Sequence, residues 1–168
     1  MKGKILAIIA LLSLTTFIYA QNVGMDFGIN FFKPSDPNFQ TKNGSVFVIR
    51  WNIDQDISFG IVNETTNLLL GAIAGTLTAT GISVQKSVVK NVAVGLNLCT
   101  ATARIGAAVD TNPLIDIYGI VTLLSTKGDK VTGSLFTTIS ARFMEAPNVS
   151  PSGTLNGYNL TLGVSIGF

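Results

Sequence analysis

The alternation of apolar and polar residues is most regular in the last eleven residues of the chain. One row is apolar or aromatic: Tyr158, Leu160, Leu162, Val164, Ile166 and Phe168. The residues between them are small or polar: Asn159, Thr161, Gly163, Ser165 and Gly167. Successive side chains of a β-strand point to opposite faces, so this period of two predicts a strand with one apolar face. Its length matches the roughly 9–11 residues that a tilted strand needs to cross the hydrocarbon core of a bilayer.

The same period predicts seven earlier strands, which makes eight in all. They cover residues 23–31, 45–53, 57–62, 78–86, 92–99, 114–124 and 131–142. Long connections are predicted at 33–44, 64–76, 100–113 and 145–157, and short turns at 54–56, 87–91 and 126–129. Residues 64–76 fit a loop, a short helix or a strand extension equally well. Alternating long and short connections are typical of an antiparallel up-and-down barrel that crosses a membrane, with the longer loops outside the cell.

The composition of the polar row indicates which face points inward. In a soluble barrel this row would carry many Lys and Glu residues, whereas here it is mostly Gly, Ser, Thr, Ala and Asn. Small polar side chains suit the interior of an eight-stranded barrel, which is just wide enough for side chains to fill. The pattern therefore predicts a polar interior and an apolar surface that faces lipid.

Composition strengthens the prediction of a membrane protein. Charged residues make up only 12% of the chain, yet residues 21–168 contain no long unbroken apolar run. A closed barrel allows such a chain to face lipid, because every backbone polar group pairs between strands. In the same segment nine basic residues balance nine acidic ones, and this balance argues against a nucleic-acid partner.

The first twenty residues have the layout of a cleaved secretory signal peptide. Lys2 and Lys4 precede an apolar run over 5–14, and Ala20 suits the position before cleavage. We expect export across the inner membrane and one mature domain over residues 21–168.

Four charged residues fall on the row predicted to face inward: Asp26, Arg50, Asp116 and Arg142. A charge in a dry interior must be paired. One hypothesis is therefore a salt-bridge network that fills the barrel, and the other is a polar path for small solutes. Glu64 is placed at a strand end, near the rim.

Enzymatic and metal-binding functions are not expected. The chain has no His, and Cys99 is its one cysteine. This removes the usual general base at neutral pH and the His-based catalytic and metal sites. We predict no catalytic residues, no metal and no cofactor.

The end of the chain resembles the terminal signature of bacterial outer-membrane β-barrels, which the barrel-assembly machinery reads. Its positions correspond to Thr161, Gly163, Ile166 and Phe168. With its eight strands, the chain resembles the small OmpA/OmpX-type barrels. The resemblance implies an integral protein of the outer membrane, with membrane lipid and the assembly machinery as partners and a structural or surface-interaction role. A narrow channel for small solutes and a soluble exported lipid-binding barrel are the alternatives.

Overall fold

The computed structural model describes residues 23–129 and 131–168, and the predicted signal peptide lies outside these residues. They form a closed barrel in which eight antiparallel strands follow one another in chain order, which confirms the predicted fold class. The strands are β1 (Val23–Pro34), β2 (Phe39–Asn52), β3 (Ile57–Leu70), β4 (Ile73–Val89), β5 (Val92–Ile105), β6 (Ala108–Lys127), β7 (Thr132–Met144) and β8 (Gly157–Gly167). Within the described residues, no helix has the length and apolar character needed to span a bilayer.

The barrel closes where β8 pairs with β1, and its strands are strongly staggered. A row of directly paired residues can be followed once around the barrel: Gly24, Arg50, Gly60, Ser83, Asn97, Asp116, Arg142, Gly157 and Pro34. The row starts and ends on β1, and its end lies ten residues beyond its start. A stagger of this size is accompanied by a strand tilt of about 35–45°.

The two ends of the barrel differ. We call the end that holds Val23, Phe168 and the β2–β3, β4–β5 and β6–β7 connections the lower end, and the opposite one the upper end. At the upper end, two-residue turns join β3 to β4 (Gly71 and Ala72) and β5 to β6 (Gly106 and Ala107). Gly71 and Gly106 both have positive φ, a conformation that glycine adopts without strain.

Three of the four predicted long connections are therefore wrong. Residues 33–44, 64–76 and 100–113 belong mostly to strands, and only the predicted 145–157 connection is long, running from 145 to 156. The strand period continues into these segments, but the two rows exchange character: Leu68 and Leu77 point inward while Asn67 and Thr78 are exposed. The predicted strands follow the outward apolar row and therefore stop short of the upper end of the barrel.

The main hydrophobic core lies inside the upper end of the barrel. It is formed by inward residues of several strands and of the 145–156 segment: Phe32, Phe39, Leu68, Leu77, Ala79, Ala101, Ala103, Ile105, Leu114, Met144, Ala146, Val149 and Leu155. We call this cluster the apolar plug. It fills the upper lumen with close-packed hydrocarbon.

Below the plug, the faces are arranged as predicted. Outward apolar side chains are widely exposed, as in Ile117 at 57% and Ile139 at 66% of their full surface. Inward residues at the same level, such as Asp116 and Ser140, are buried. The lower barrel thus presents an apolar outside and a polar inside, the reverse of a soluble protein.

Candidate functional site: the closed interior of the barrel

The structure places all four predicted interior charges inside the barrel, where they form two separate clusters. In the lower cluster, Arg50 on β2 donates from Nε to Asp26 Oδ2 on the paired strand β1, at 2.7 Å. Arg50 Nη1 also lies 3.4 Å from the Tyr118 hydroxyl, which is 3.0 Å from Ser83 Oγ. These contacts connect four strands across the lumen.

The upper cluster is centred on Arg142, which is fully buried. Its Nε and Nη2 donate to the two oxygens of Asp116 at 2.9 and 2.8 Å, a bidentate pair between directly opposite residues of β6 and β7. Nη2 also donates to Glu64 Oε2 at 2.7 Å, across the lumen from β3. The Phe32 ring of the plug covers the guanidinium, with 4.8 Å between Cζ and the ring centroid.

Glu64 is an interior residue that the sequence reading put at the rim. It is 5% exposed, and its Oε1 accepts from Asn30 Nδ2 at 2.6 Å and from Thr66 Oγ1 at 2.8 Å. The signal was present in the sequence, because Glu64 continues the inward row that begins at Ser58. With it, these two clusters hold three carboxylates against two guanidinium groups.

The two clusters leave little space at mid-barrel. A cavity of about 50 Å³ remains there, bordered by both clusters together with Ser83, Asn97 and Asn159. Pockets that bind small molecules typically measure about 300–1,000 Å³, so this gap is far smaller than a solute site. The geometry matches a filled interior rather than an open polar path.

The segment 145–156 covers the upper mouth and is held there by two buried carboxylates of the strand and turn regions. Asp110 Oδ2 accepts from the backbone N–H groups of Asn148 and Val149, both at 2.8 Å. Asp36 Oδ2 accepts from Ser150 Oγ at 3.0 Å and from the Ser152 N–H at 3.3 Å. We call this segment the lid.

The Asp36 carboxylate is stabilised in its ionised form. The backbone N–H of Asn38 donates to it at 3.0 Å and is the main reason that the pKa of Asp36 lies below its usual value. The Ser150 and Ser152 hydrogen bonds act in the same direction, so the charged carboxylate both closes the β1–β2 turn and anchors the lid.

The lower end, in contrast, is open. A cavity of about 850 Å³ extends from the lower rim up to Asp26, Arg50 and Phe136, with Ser58 and Gln85 among its walls. We call it the vestibule. The lumen is therefore accessible from below and blocked above.

The described residues contain little that suggests catalysis. Within 23–129 and 131–168, no group of three His, Cys, Asp or Glu residues could hold a metal ion. Cys99 is half-buried on the inward row, directly paired with Gly81 and Leu114. The carboxylates of the two interior clusters, Asp26, Glu64 and Asp116, are paired with arginines instead.

The four residues of the predicted assembly signal lie on both faces of β8. Thr161 and Gly163 point inward and are buried, whereas Ile166 and Phe168 point outward and are exposed. The Phe168 N–H donates to the Val23 carbonyl at 2.9 Å, at the seam where β8 meets β1. Whether the assembly machinery reads these residues remains a prediction.

No protein-family model and no curated protein matches the sequence. Among solved structures, the chain is similar to Neisserial surface protein A (NspA), with a TM-score of 0.55 and 13% identity over 86% of this chain and 93% of that one. It is also similar to the outer membrane protein OprG from Pseudomonas aeruginosa, with a TM-score of 0.51 and 7% identity over 88% and 96%. AlkL, an outer membrane protein solved in lipid bilayers, is more distant, with a TM-score of 0.41 and 12% identity over 88% and 90%.

The similarities to NspA and OprG confirm the predicted resemblance to small outer-membrane barrels at the level of the fold. The exposed apolar surface of the lower barrel is of the kind that a transmembrane β-barrel presents to lipid.

Proposed function

We propose that this protein is an outer-membrane barrel with a structural or surface-interaction role, and that it neither conducts solutes nor catalyses a reaction. One observation carries the proposal: the lumen is closed by two barriers in series, the Arg142 cluster and the apolar plug above it. A solute that entered the vestibule would have to displace both barriers. Removing one partner of a buried ion pair costs about 3–5 kcal/mol, so the Arg142 cluster is not readily opened.

The upper end supports the surface-interaction part of the proposal. Strands β3 to β6 continue past the apolar band and carry exposed polar side chains, and the lid closes the mouth beside them. This gives the protein an upper surface built mainly of strands and short turns instead of four long loops. Such a surface suits contact with neighbouring molecules of the cell envelope.

Conductance in planar bilayers tests the proposal. We expect the mature protein, inserted from detergent, to show no discrete openings under an applied potential. Heat-modifiable mobility on gels provides the control for folding, since an intact barrel migrates differently from the unfolded chain. Openings that change on Arg50→Ala or Asp116→Ala would instead support the channel alternative, which the open vestibule favours.

We also propose that β8 is the strand that the assembly machinery recognises. The support is its sequence signature and the exposure of Phe168, 52% of whose surface is accessible at the seam of the barrel. The test compares Phe168→Ala with Phe143→Ala, an equally exposed outward aromatic on β7. Only Phe168→Ala should slow insertion assisted by purified assembly machinery, whereas equal slowing of both variants would contradict the proposal.

A further inference from the structure

The apolar outer band differs in height around the barrel. On β8 the outward row is apolar along the whole strand, from Tyr158 to Phe168. On β3 its lower part is Ile57, Phe59 and Ile61, and the polar residues Asn63, Thr65 and Asn67 follow on the same face before Leu69. The lipid-facing surface is therefore about half as tall on β3 as on β8.

The strand register shows that this polar surface lies at the height of lipid-facing residues elsewhere. The paired row described above rises by ten residues in one circuit, so Gly157 on β8 lies about six residues higher than Gly60 on β3. Asn63 lies three residues above Gly60, and Leu160 lies three residues below Gly157. Asn63 and Leu160 are thus at nearly the same height on different sides of the barrel, and both are exposed.

The polar surface continues upward and sideways as a regular array. Asn63 pairs with Thr80 on β4, and Thr65 pairs with Thr78, which pairs with Thr102 on β5. Neighbouring strands lie about 4.8 Å apart, so the hydroxyl and amide groups form closely spaced rows. Asn63 Nδ2 donates to Thr80 Oγ1 at 2.8 Å. This hydrogen bond uses one of the two amide hydrogens of Asn63.

Charge completes the chemistry of this surface. Arg104 lies on β5 above Thr102, is exposed and is directly paired with Thr76 on β4. The outward rows of β3, β4 and β5 from Asn63, Thr80 and Thr100 upward contain no acidic residue. We call this surface, represented by Asn63, Thr65, Thr78, Thr80, Thr102 and Arg104, the polar wall.

We infer that the polar wall binds the phosphorylated saccharide headgroups of outer-leaflet glycolipid, and that these headgroups reach down β3 and β4 to Asn63 and Thr80. Exposing hydroxyls and amides to hydrocarbon is unfavourable, so acyl chains cannot cover them as they cover Leu160. Rows of hydroxyls and amides match sugar hydroxyls, and Arg104 matches phosphate. The wall is continuous with the lipid-facing band at Ile61 and Ile82, which would hold the acyl chains of the same lipid.

This inference rests on the outer-membrane location that is part of the proposed function. Measuring the depth of spin labels in a bilayer tests the inference and the location separately. In a Cys99→Ala background, spin labels are placed at Asn63→Cys and Leu160→Cys, and the protein is inserted into vesicles of phosphatidylcholine with lipid A. Accessibility to oxygen and to a water-soluble nickel complex gives the depth of each label. We expect the label at 63 in the headgroup region and the label at 160 in hydrocarbon.

Three results would overturn the inference in distinguishable ways. Two labels at equal hydrocarbon depth would show that headgroups do not reach Asn63. Dipolar broadening between labels at 63 would show that a second copy covers the wall. Failure of the barrel to insert, seen as absence of heat-modifiable mobility, would remove the proposed function as well.

Thermal unfolding of the protein with and without lipid A tests whether the polar wall recognises saccharide and phosphate groups. Lipid A in the vesicles should raise the midpoint of thermal unfolding of the protein, and the variant Thr78→Val/Thr80→Val/Arg104→Gln should lose most of this shift. Thr137→Val is the matched control, because Thr137 lies on the outward row of β7, away from the wall. An undiminished lipid A shift in the triple variant would contradict saccharide and phosphate recognition by the wall.

Discussion

Arg142 is fully buried, and its charge is balanced by carboxylates from two different strands. Removing one partner of a buried ion pair is costly, because the remaining charge stays in a medium of low dielectric constant. The pairing of Arg142 with Glu64 spans 78 residues of sequence. It depends on the register of the whole barrel, so no local pattern could predict it, although the inward direction of each side chain could be predicted.

We expect Arg142→Ala to lower the free energy of unfolding by about 3–5 kcal/mol, because Asp116 and Glu64 would lose their counter-charge. Arg104→Ala, at an exposed site, should change it by about 0.5 kcal/mol or less. Glu64→Gln should cost less than Arg142→Ala, since it leaves the Asp116 pair intact. Urea unfolding in detergent micelles measures these differences, and equal costs for the two arginine variants would contradict the described network.

Packing inside the barrel explains why position 163, which belongs to the predicted assembly signal, is a glycine. A Cβ atom at this position would lie 2.5 Å from Phe136 Cζ and 2.5 Å from the Phe27 carbonyl oxygen. The backbone oxygen cannot move without disturbing the β1–β8 ladder. Glycine is therefore required by packing inside the barrel, whether or not another protein reads β8.

Gly163→Ala should consequently destabilise the folded barrel by about 1–3 kcal/mol, the usual cost of overpacking. Gly119→Ala is the control, because a Cβ there would meet no atom within 4 Å. Unassisted refolding into detergent, followed by urea unfolding, separates this effect from recognition. A neutral Gly163→Ala would mean that β1 and β8 are less closely packed than described.

Among the elements, the lid is the one whose attachment depends most on ionised side chains. The pKa of Asp36 is lowered in the folded protein, so its ionised form contributes stability above the pKa of the unfolded chain, about 4. This contribution decreases as the pH falls through the lowered pKa. The Ser150 and Ser152 hydrogen bonds to Asp36 should weaken over the same range.

We therefore expect faster hydrogen exchange at the backbone N–H groups of Ser150, Ser152 and Gly153 when the pH falls below about 4, after correction for the intrinsic rate. Asp36→Asn should produce the same increase at neutral pH. Asp54→Asn provides the control, because Asp54 has a lowered pKa from the N–H groups of Asp56 and Ile57 but lies at the opposite end of the barrel. Unchanged exchange in Asp36→Asn would show that the lid is held without the Asp36 contacts.

The strands also show what the sequence could reveal about the fold and what it could not. The period of two identified all eight strands and the inward direction of Asp26 and Arg50, because side-chain alternation is a local property. It ended β3 and β5 too early and began β4 too late, because the residues near Leu68 and Leu77 continue the period with the opposite polarity. Asp110 and Asp36 hold a lid that is distant from them in the sequence, so no local sequence pattern predicts these contacts.

In the whole molecule, the polarity of the interior and of the exterior reverses along the barrel axis. Its lower part has a polar interior and an apolar exterior, whereas its upper part has an apolar interior and polar exterior rows on β3 to β5. The change occurs near the level of Glu64 and Arg142. The buried ion cluster thus lies where the interior changes from polar to apolar.

Two barriers in series predict how the lumen responds when the lid is removed. Replacing residues 146–155 with a short Gly-Ser linker should lower stability, because Ala146, Val149 and Leu155 leave the plug. The barrel should nevertheless remain electrically silent in planar bilayers, since Leu68, Leu77, Leu114 and the Arg142 cluster stay in place. Discrete openings in this variant would show that the lid is the only effective barrier.

The exchange of polarity along β3, β4 and β5 also restricts how these strands can change in length. Adding or deleting one residue moves every later side chain of the strand to the other face. In this barrel such a change would send Leu68 or Leu77 outward and bring threonines into the plug. Viable length changes within these strands should therefore come in pairs of residues, or be absorbed at the ends, as at the irregular pairing between Ser87 and Val89.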